Sequence, residues 1–147
     1  MNEKIPCFGE NLPHLPLVKR PGAYALILNS VGCLAVLKLP EGWYLPGGGQ
    51  EGKEGLESCL EREVQEETGY GIEMLWYLGQ AGQYLVGRDR VLFKLGHFFL
   101  AEFNTEKQAA GEDQHELHWL SLPDAIAKLK HPYQAWAVEK LSALMGA

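Results

Sequence analysis

Residues 48–70 read GGQEGKEGLESCLEREVQEETGY, and this stretch decides the fold. It joins a glycine-rich loop, Pro46 to Gly49, to the segment from Leu56 to Thr68, which lacks glycine and proline and is rich in helix formers. Gly69 follows at once, and glycine suits the left-handed conformation that ends many helices. The pattern therefore predicts one helix over residues 56–68, preceded by a flexible loop.

The predicted helix carries apolar and acidic residues on one face. At about 100° per residue, Glu66 and Glu67 lie within about 60° of Glu63 around the helix axis. This acidic end continues the apolar stripe of Leu56 and Leu60. The carboxylates repel one another, and the helix dipole disfavours anions at this end. A simple amphipathic helix would not have this pattern.

A bound cation would explain this arrangement. Arg62 can pair with Glu66 four residues on, but one guanidinium cannot neutralise three partly buried carboxylates. Hard oxygen ligands without His or Cys favour Mg²⁺ or Mn²⁺ over zinc, and a carbonyl of the glycine loop can supply one more oxygen. Taken singly, a solvated acidic face and an ordinary turn are the alternatives. Together, the loop, the acidic helix end and the arginine predict a metal–phosphate site.

The rest of the chain reads as short strands and two further helices around this motif. We predict strands at 22–30, 33–39 (joined to the first as a hairpin), 41–45, 71–78, 83–87, 90–103 and 116–122, a polar loop at 104–114, and helices at 123–130 and 133–144. The mixture indicates an α+β or layered α/β fold with a mixed β-sheet flanked by helices. With 147 residues, the chain is predicted to be a single domain, 1–147.

Charge and cysteine content exclude several classes of protein. The chain has 13 Lys and Arg against 19 Asp and Glu, a net charge of −6, so we expect no nucleic-acid polymer and no anionic membrane as partner. Seven of the acidic residues lie between Glu51 and Glu67. Three cysteines without metal-ligand spacing and no targeting segment predict a cytoplasmic protein. The histidines at 97, 115, 118 and 131 follow no ligand spacing and are interpreted as ordinary residues.

The motif resembles the complete signature of the Nudix hydrolases. Gly48 is followed after five residues by Glu54 and after seven more by REVQEETGY at 62–70, with Val64 and Tyr70 in the apolar positions. Trp119, followed by LSLP before a helix, also resembles the family. The resemblance implies an α/β/α sandwich and Mg²⁺-dependent hydrolysis of a pyrophosphate bond in a nucleoside diphosphate linked to another moiety.

The resemblance also implies roles for individual residues. The metal ligands would be Glu63, Glu66 and Glu67, with the carbonyl of Gly47 or Gly48 as a further ligand. Arg62 would orient the glutamates, and Glu54 would be mainly structural, closing the loop onto the helix. For the general base we expect Glu67 or Glu66 first. Glu112 or Glu116 comes second, in the stretch GEDQHELHW that also holds Asp113, although polar loop residues are the commoner interpretation of each.

The substrate is predicted by elimination. The residues that distinguish the substrate subfamilies are absent. Leu85 and Val86 occupy the region where a proline would indicate ADP-ribose, and Tyr84 lies somewhat before the position at which a tyrosine would indicate dinucleoside polyphosphates. A nucleoside triphosphate, including an oxidised form, is therefore expected, with a MutT-type reaction to monophosphate and pyrophosphate. Hydrolysis of a nucleotide sugar, ADP-ribose or a dinucleotide is the enzymatic alternative. A non-catalytic nucleotide sensor is another, although it should have lost some of the glutamates.

Side chains outside the motif were also considered for substrate binding. The candidates are Arg20 and Lys19 for phosphates, Tyr24, Tyr44, Phe93 and Phe98 for stacking on a base, and Gln134 for reading a purine edge. A core position is the commoner role for each aromatic residue. A homodimer is left open.

Overall fold

Two β-sheets and three helices form the part of the chain that the computed structural model describes, residues 4–107, 111 and 115–146. In chain order the elements are β1 Cys7–Phe8, β2 Leu17–Ile27, β3 Leu34–Leu39, β4 Gly42–Tyr44, β5 Gly47–Gly49, α1 Leu56–Thr68, β6 Tyr70–Val86, β7 Val91–Lys107, β8 Glu116–Leu120, α2 Leu122–Lys128 and α3 Pro132–Leu144.

The larger sheet is mixed, as the sequence predicts. Its strand order is β1-β6-β7-β2-β5, with β2 parallel to β7 and with β5 and β6 antiparallel to their neighbours in the centre. A second sheet of order β4-β3-β8 is antiparallel throughout. The predicted α+β architecture, an α/β/α sandwich with helices on both sides of a mixed sheet, is confirmed.

The alternation of β2 shows why helices cover both faces. Ala23, Ala25 and Ile27 lie in the cluster that packs under α1. Tyr24 and Leu26 point the other way, into the cluster that α2 and α3 cover. Because successive strand residues face opposite sides, a strand that is apolar at every position needs cover on both faces.

Helix α1 has the bounds that the sequence predicts. Cys59, Leu60 and Val64 form its buried stripe. Gly69 ends it with φ 81°, and its N–H donates to the Gln65 carbonyl. This left-handed position favours glycine, which explains the sharp stop.

Three predictions about the strands were wrong. The segments 71–78 and 83–87 form one long strand, β6, and β7 runs on to residue 107 through part of the predicted loop. These strands pair along their length because three register shifts take up the local irregularities. The glycine loop also forms a short strand, β5, paired with residues 22–24.

The predicted hairpin between 22–30 and 33–39 is reduced to one bridge, Leu28 to Leu34. Asn29 holds the turn, since its side-chain oxygen accepts hydrogen bonds from Val31 N at 3.1 Å and Cys33 N at 2.9 Å. Beyond it the chain changes sheets, so β2 and β3 diverge. The predicted helices near the C-terminus are confirmed with shifted bounds, at 122–128 and 132–144.

None of the helices within the described residues has both the length and the apolar character needed to cross a membrane.

The buried stripe of α1 makes a direct test of this packing possible. We expect Leu60→Ala to lower the free energy of unfolding by about 2–5 kcal/mol, because it leaves a cavity under a fully buried side chain. Urea denaturation measures this change. Glu61→Ala, on the exposed face of the same turn, should stay within about 0.5 kcal/mol of the wild type. Equal losses in the two variants would contradict the assigned orientation.

Candidate functional site

Arg62 is the centre of a network that joins α1 to the preceding loop. Its Nε and Nη2 donate to the two carboxylate oxygens of Glu54, at 3.1 and 2.6 Å. Nη1 donates to Glu63 Oε1 at 2.9 Å, and Nη2 also donates to the Gly49 carbonyl at 3.1 Å. Glu66, one turn further on, lies 3.4 Å away and is about half exposed. One guanidinium therefore sets the positions of three motif carboxylates.

Glu54 closes the loop onto the helix. Besides its two-pronged pair with Arg62, its Oε1 accepts a hydrogen bond from Glu51 N at 2.9 Å. These hydrogen bonds, that of Arg62 first, lower the pKa of Glu54 to about 2. Glu54 is thus ionised and held by the protein, and the mainly structural role that the family resemblance implies for it stays a prediction.

Glu67 projects from the last turn of α1 towards β5. It is buried, and its Oε1 accepts a hydrogen bond from Gly47 N at 2.8 Å. Its other oxygen lies 4.0 Å from His115 Nε2. A charged side chain thus points inward from this helix, as the wheel predicts.

Glu63 lies over Gly48. Burial raises the pKa of Glu63, and the hydrogen bond from Arg62 opposes this effect. A Cβ atom on Gly48 would lie 2.5 Å from the Glu63 carboxyl carbon, so a larger residue there would displace the carboxylate. Gly48 therefore makes room for Glu63 against the loop.

The register of β5 distinguishes the two glycine carbonyls. Ala25 N donates to the Pro46 carbonyl and Gln50 N donates to the Pro21 carbonyl. Because hydrogen-bonded pairs alternate along an antiparallel ladder, the pair between them that shares bonds is Ala23 with Gly48. The Gly48 carbonyl points to β2 and also accepts from Cys59 Sγ at 3.4 Å. The carbonyl of Gly47 points away from β2.

The donor set at this site consists of oxygens. Within the described ranges, no three His, Cys, Asp or Glu side chains already converge as a metal site. Glu63 and Glu67 are instead held by Arg62 and by Gly47 N. Carboxylates with a nearby backbone carbonyl are the ligands that Mg²⁺ and Mn²⁺ prefer, so the chemistry of the residues fits such an ion.

A cavity of about 300 Å³ adjoins these carboxylates. Among the residues that line it are Tyr24, Tyr44, Glu67, Lys94, His131 and Gln134. Burial, together with Lys94 and Lys130, lowers the pKa of His131, so its ring is neutral at pH 7. The cavity thus combines aromatic rings, two imidazoles, a lysine and two carboxylates, those of Glu41 and Glu67.

Three of the predicted substrate residues, Tyr24, Tyr44 and Gln134, border this cavity. The protein itself binds the polar groups of Tyr24 and Gln134. The Tyr24 hydroxyl accepts a hydrogen bond from the Tyr133 hydroxyl at 2.9 Å, and its ring stacks on Phe98 in the core. Gln134 is buried, and its side-chain oxygen accepts from Leu45 N at 2.7 Å. Gln134 thus holds the segment that leads into β5.

The cavity lining does not include the predicted residues Lys19, Arg20, Phe93, Phe98 and Glu116. Arg20 is exposed and borders a separate groove with residues 85–92, because β2 runs away from the cavity towards its N-terminal end. Phe93 packs against Tyr84. Glu116 is 68% exposed and contacts His118 at 3.1 Å. The predicted alternatives Glu112 and Asp113 lie outside the described residues.

Sequence reasoning missed Lys94, His115 and His131 as cavity-lining residues. Lys94 had one signal, since it is the only charged residue between Val91 and Ala101, in a run that is otherwise largely apolar. The histidines had none, because their approach to the motif depends on contacts between distant segments.

Comparison with known proteins agrees with this geometry. The family model of the NUDIX domain matches residues 18–141. A Bacillus subtilis (strain 168) protein with the name "Putative 8-oxo-dGTP diphosphatase YtkD" is 41% identical over 68 residues. That alignment spans 46% of this chain and only 41% of the relative's length.

Solved structures share the fold. A MutT protein from Methanosarcina mazei Go1 is 23% identical with a TM-score of 0.65, over 90% of this chain and 99% of the other. A MutT NUDIX hydrolase from Burkholderia pseudomallei is 27% identical with a TM-score of 0.65, over 84% and 98%. A C. elegans Ap4A hydrolase is 18% identical with a TM-score of 0.66, over 88% and 98%.

The pair between Arg62 and Glu54 predicts a pH dependence. The pKa of Glu54 is depressed from 4.5 to about 2, so the pair stabilises the fold fully above about pH 4.5 and less as pH falls towards 2. In Arg62→Met we expect the pKa of Glu54 to rise towards 4.5, as followed by carboxyl ¹³C NMR. Arg90→Met, at an exposed pair with Asp89, is the matched control. An unchanged Glu54 titration in Arg62→Met would contradict the assigned cause.

Proposed function

Because the chain belongs to the Nudix family, we propose that it hydrolyses a pyrophosphate bond in a nucleoside diphosphate linked to another moiety. The observation that carries this proposal is the intact carboxylate network. Arg62 bridges Glu54 and Glu63, while Glu67 is turned inward onto Gly47 N beside a cavity.

The proposal includes a divalent cation, Mg²⁺ or Mn²⁺, held by Glu63, Glu66 and Glu67. When bound, such an ion supplies charge neutralisation at the phosphate oxygens and activates water for attack on phosphorus. Of the two glycine carbonyls, that of Gly47 is the better candidate ligand, because the Gly48 carbonyl is engaged by β2 and Cys59. Arg62 keeps Glu63 and Glu66 oriented on the same side of the helix.

A carboxylate must accept the proton of the attacking water. Glu67 is the first candidate, because it is buried beside the cavity and can keep Oε1 on Gly47 N while Oε2 takes the proton. Glu66 is the second candidate and is more exposed. Glu116 is a weaker one, since its side chain faces solvent.

For the substrate, we propose a nucleoside triphosphate, including oxidised forms, cleaved to monophosphate and pyrophosphate. The name of the Bacillus subtilis relative, a putative 8-oxo-dGTP diphosphatase, supports this choice. Similar structures also include an ADP-ribose pyrophosphatase and a UDP-X diphosphatase, at 17% and 16% identity, which support the fold alone. A cytoplasmic location, a single domain and the absence of a polymer or membrane partner stay predictions.

A substrate panel with Mg²⁺ or Mn²⁺ tests the proposal. Nucleoside triphosphates, their oxidised forms, ADP-ribose, nucleotide sugars and dinucleotides are assayed for phosphate, pyrophosphate and monophosphate release. We expect turnover of a triphosphate and a loss of about 10²-fold or more in Glu67→Gln, which keeps the hydrogen bond to Gly47 N but removes the charge. No turnover across the panel would favour a nucleotide sensor. Wild-type turnover in Glu67→Gln would refute the role of Glu67.

Two neighbouring glycines provide a matched pair of variants. A Cβ at position 48 meets the Glu63 carboxylate, whereas a Cβ at position 49 meets only the Pro21 carbonyl at 3.9 Å. We therefore expect Gly48→Ala to lower metal-dependent turnover by about tenfold or more and to weaken Mn²⁺ binding, with Gly49→Ala close to wild type. Circular dichroism confirms folding. Equal activities of the two variants would show that the position of Glu63 does not matter.

A further inference from the structure

Lys94 is a partly buried cation that the network around Arg62 does not use. It lies on β7, and its side chain lines the cavity beside Glu67. Among the described residues, it is the only lysine or arginine in the lining. Gly96, two residues along the same face, leaves space for the Tyr133 ring, since a Cβ there would lie 2.9 Å from that ring.

The ammonium of Lys94 has no direct side-chain partner among the described residues. Within the part of the chain that the structure describes, no hydrogen bond or ion pair to its ammonium is found. Burial lowers the pKa of Lys94, while the negative charge of Glu63 raises it. A partly desolvated ammonium without a partner gains from an anion that enters its cavity.

The other cavity walls suit the nucleoside side of a nucleotide. Tyr44 and His131 have ring centroids 5.7 Å apart, and His131 is also 6.3 Å from the Tyr133 ring. These groups offer flat surfaces and neutral polar atoms to a base or ribose. Glu67 is the carboxylate of α1 that lines this cavity. A phosphate bound between the ring walls and Glu67 would therefore lie in the same cavity as Lys94.

We propose that Lys94 binds the phosphate attached to the nucleoside and so makes the cavity specific for the nucleoside monophosphate half of the substrate. The inference rests on the proposed function. It adds a substrate-binding residue outside the 48–70 motif. Lys94 acts by binding, since it is not needed for proton transfer.

Calorimetric binding of 5′-GMP and guanosine, in the presence of Mg²⁺, tests the proposal. The monophosphate has no pyrophosphate bond, so binding is measured without turnover. The four common ribonucleotide and nucleoside pairs are run because the preferred base is unknown. Lys94→Met removes the charge and Lys94→Arg keeps it. Lys128→Met is the matched control, since Lys128 is exposed on α2 away from the cavity.

We expect wild-type protein to bind at least one monophosphate more tightly than its nucleoside. Lys94→Met should weaken the binding of that monophosphate by about tenfold or more, because the charged contact is lost. The affinity for the nucleoside should stay unchanged. Lys94→Arg should restore most of the affinity, and Lys128→Met should match wild type.

Several results would overturn the assignment. One is that the wild type binds no monophosphate more tightly than its nucleoside. Another is that Lys94→Met weakens the binding of both ligands equally, so that the ratio of the two affinities is unchanged. Thermal unfolding shows whether equal weakening of both ligands in Lys94→Met comes from a folding defect. In that case Lys94→Arg would still bind both ligands as the wild type does. The substrate panel reports the proposed function independently. Turnover without phosphate selectivity at Lys94 rejects this inference alone, and selectivity without turnover rejects the hydrolase function alone.

Discussion

The site depends on one interaction, the two-pronged pair of Arg62 with Glu54. Glu54 belongs to the loop and Arg62 to the helix, so this pair fixes the approach of the two segments. The same guanidinium then reaches Glu63 and the Gly49 carbonyl. Carboxylates that would repel one another on an isolated helix are thereby held at defined positions. Charge repulsion is thus offset by a cation of the chain itself.

The second constraint is the close approach of β5 to its neighbours. Gly47 and Gly48 lie between β2 on one side and α1 on the other, with no room for a Cβ on either glycine. Gly47 N binds Glu67, and Gln134 holds Leu45 just ahead of this strand. The wall of the cavity and the carboxylate site therefore share one short segment of backbone. Displacement of that segment would alter both of them.

Local signals made the motif predictable, whereas contacts between distant segments decided the rest. The bounds of α1 and its inward Glu67 follow from spacing within one helix, whereas the roles of Arg62 and Glu54 are what the family resemblance implies. The length of β6 does not follow from such spacing, because pairing with β7 and its register shifts decide where the strand continues. The sequence also does not show that Arg20 borders a separate groove, since its distance along β2 from the cavity depends on the parallel register with β7. Lys94 lines the cavity through the same register, and its only mark in the local sequence is its charge in a largely apolar run.

The contacts of α3 have a consequence for the order of synthesis. Gln134 binds Leu45 across 89 residues of sequence, and the Tyr133 hydroxyl reaches Tyr24 across 109. A ribosome makes the whole 48–70 motif long before it makes these two side chains. The nascent chain can therefore form α1 early, but the cavity wall closes only when the last quarter of the protein has emerged. Until then, residues that later line the cavity are open to solvent and to other chains.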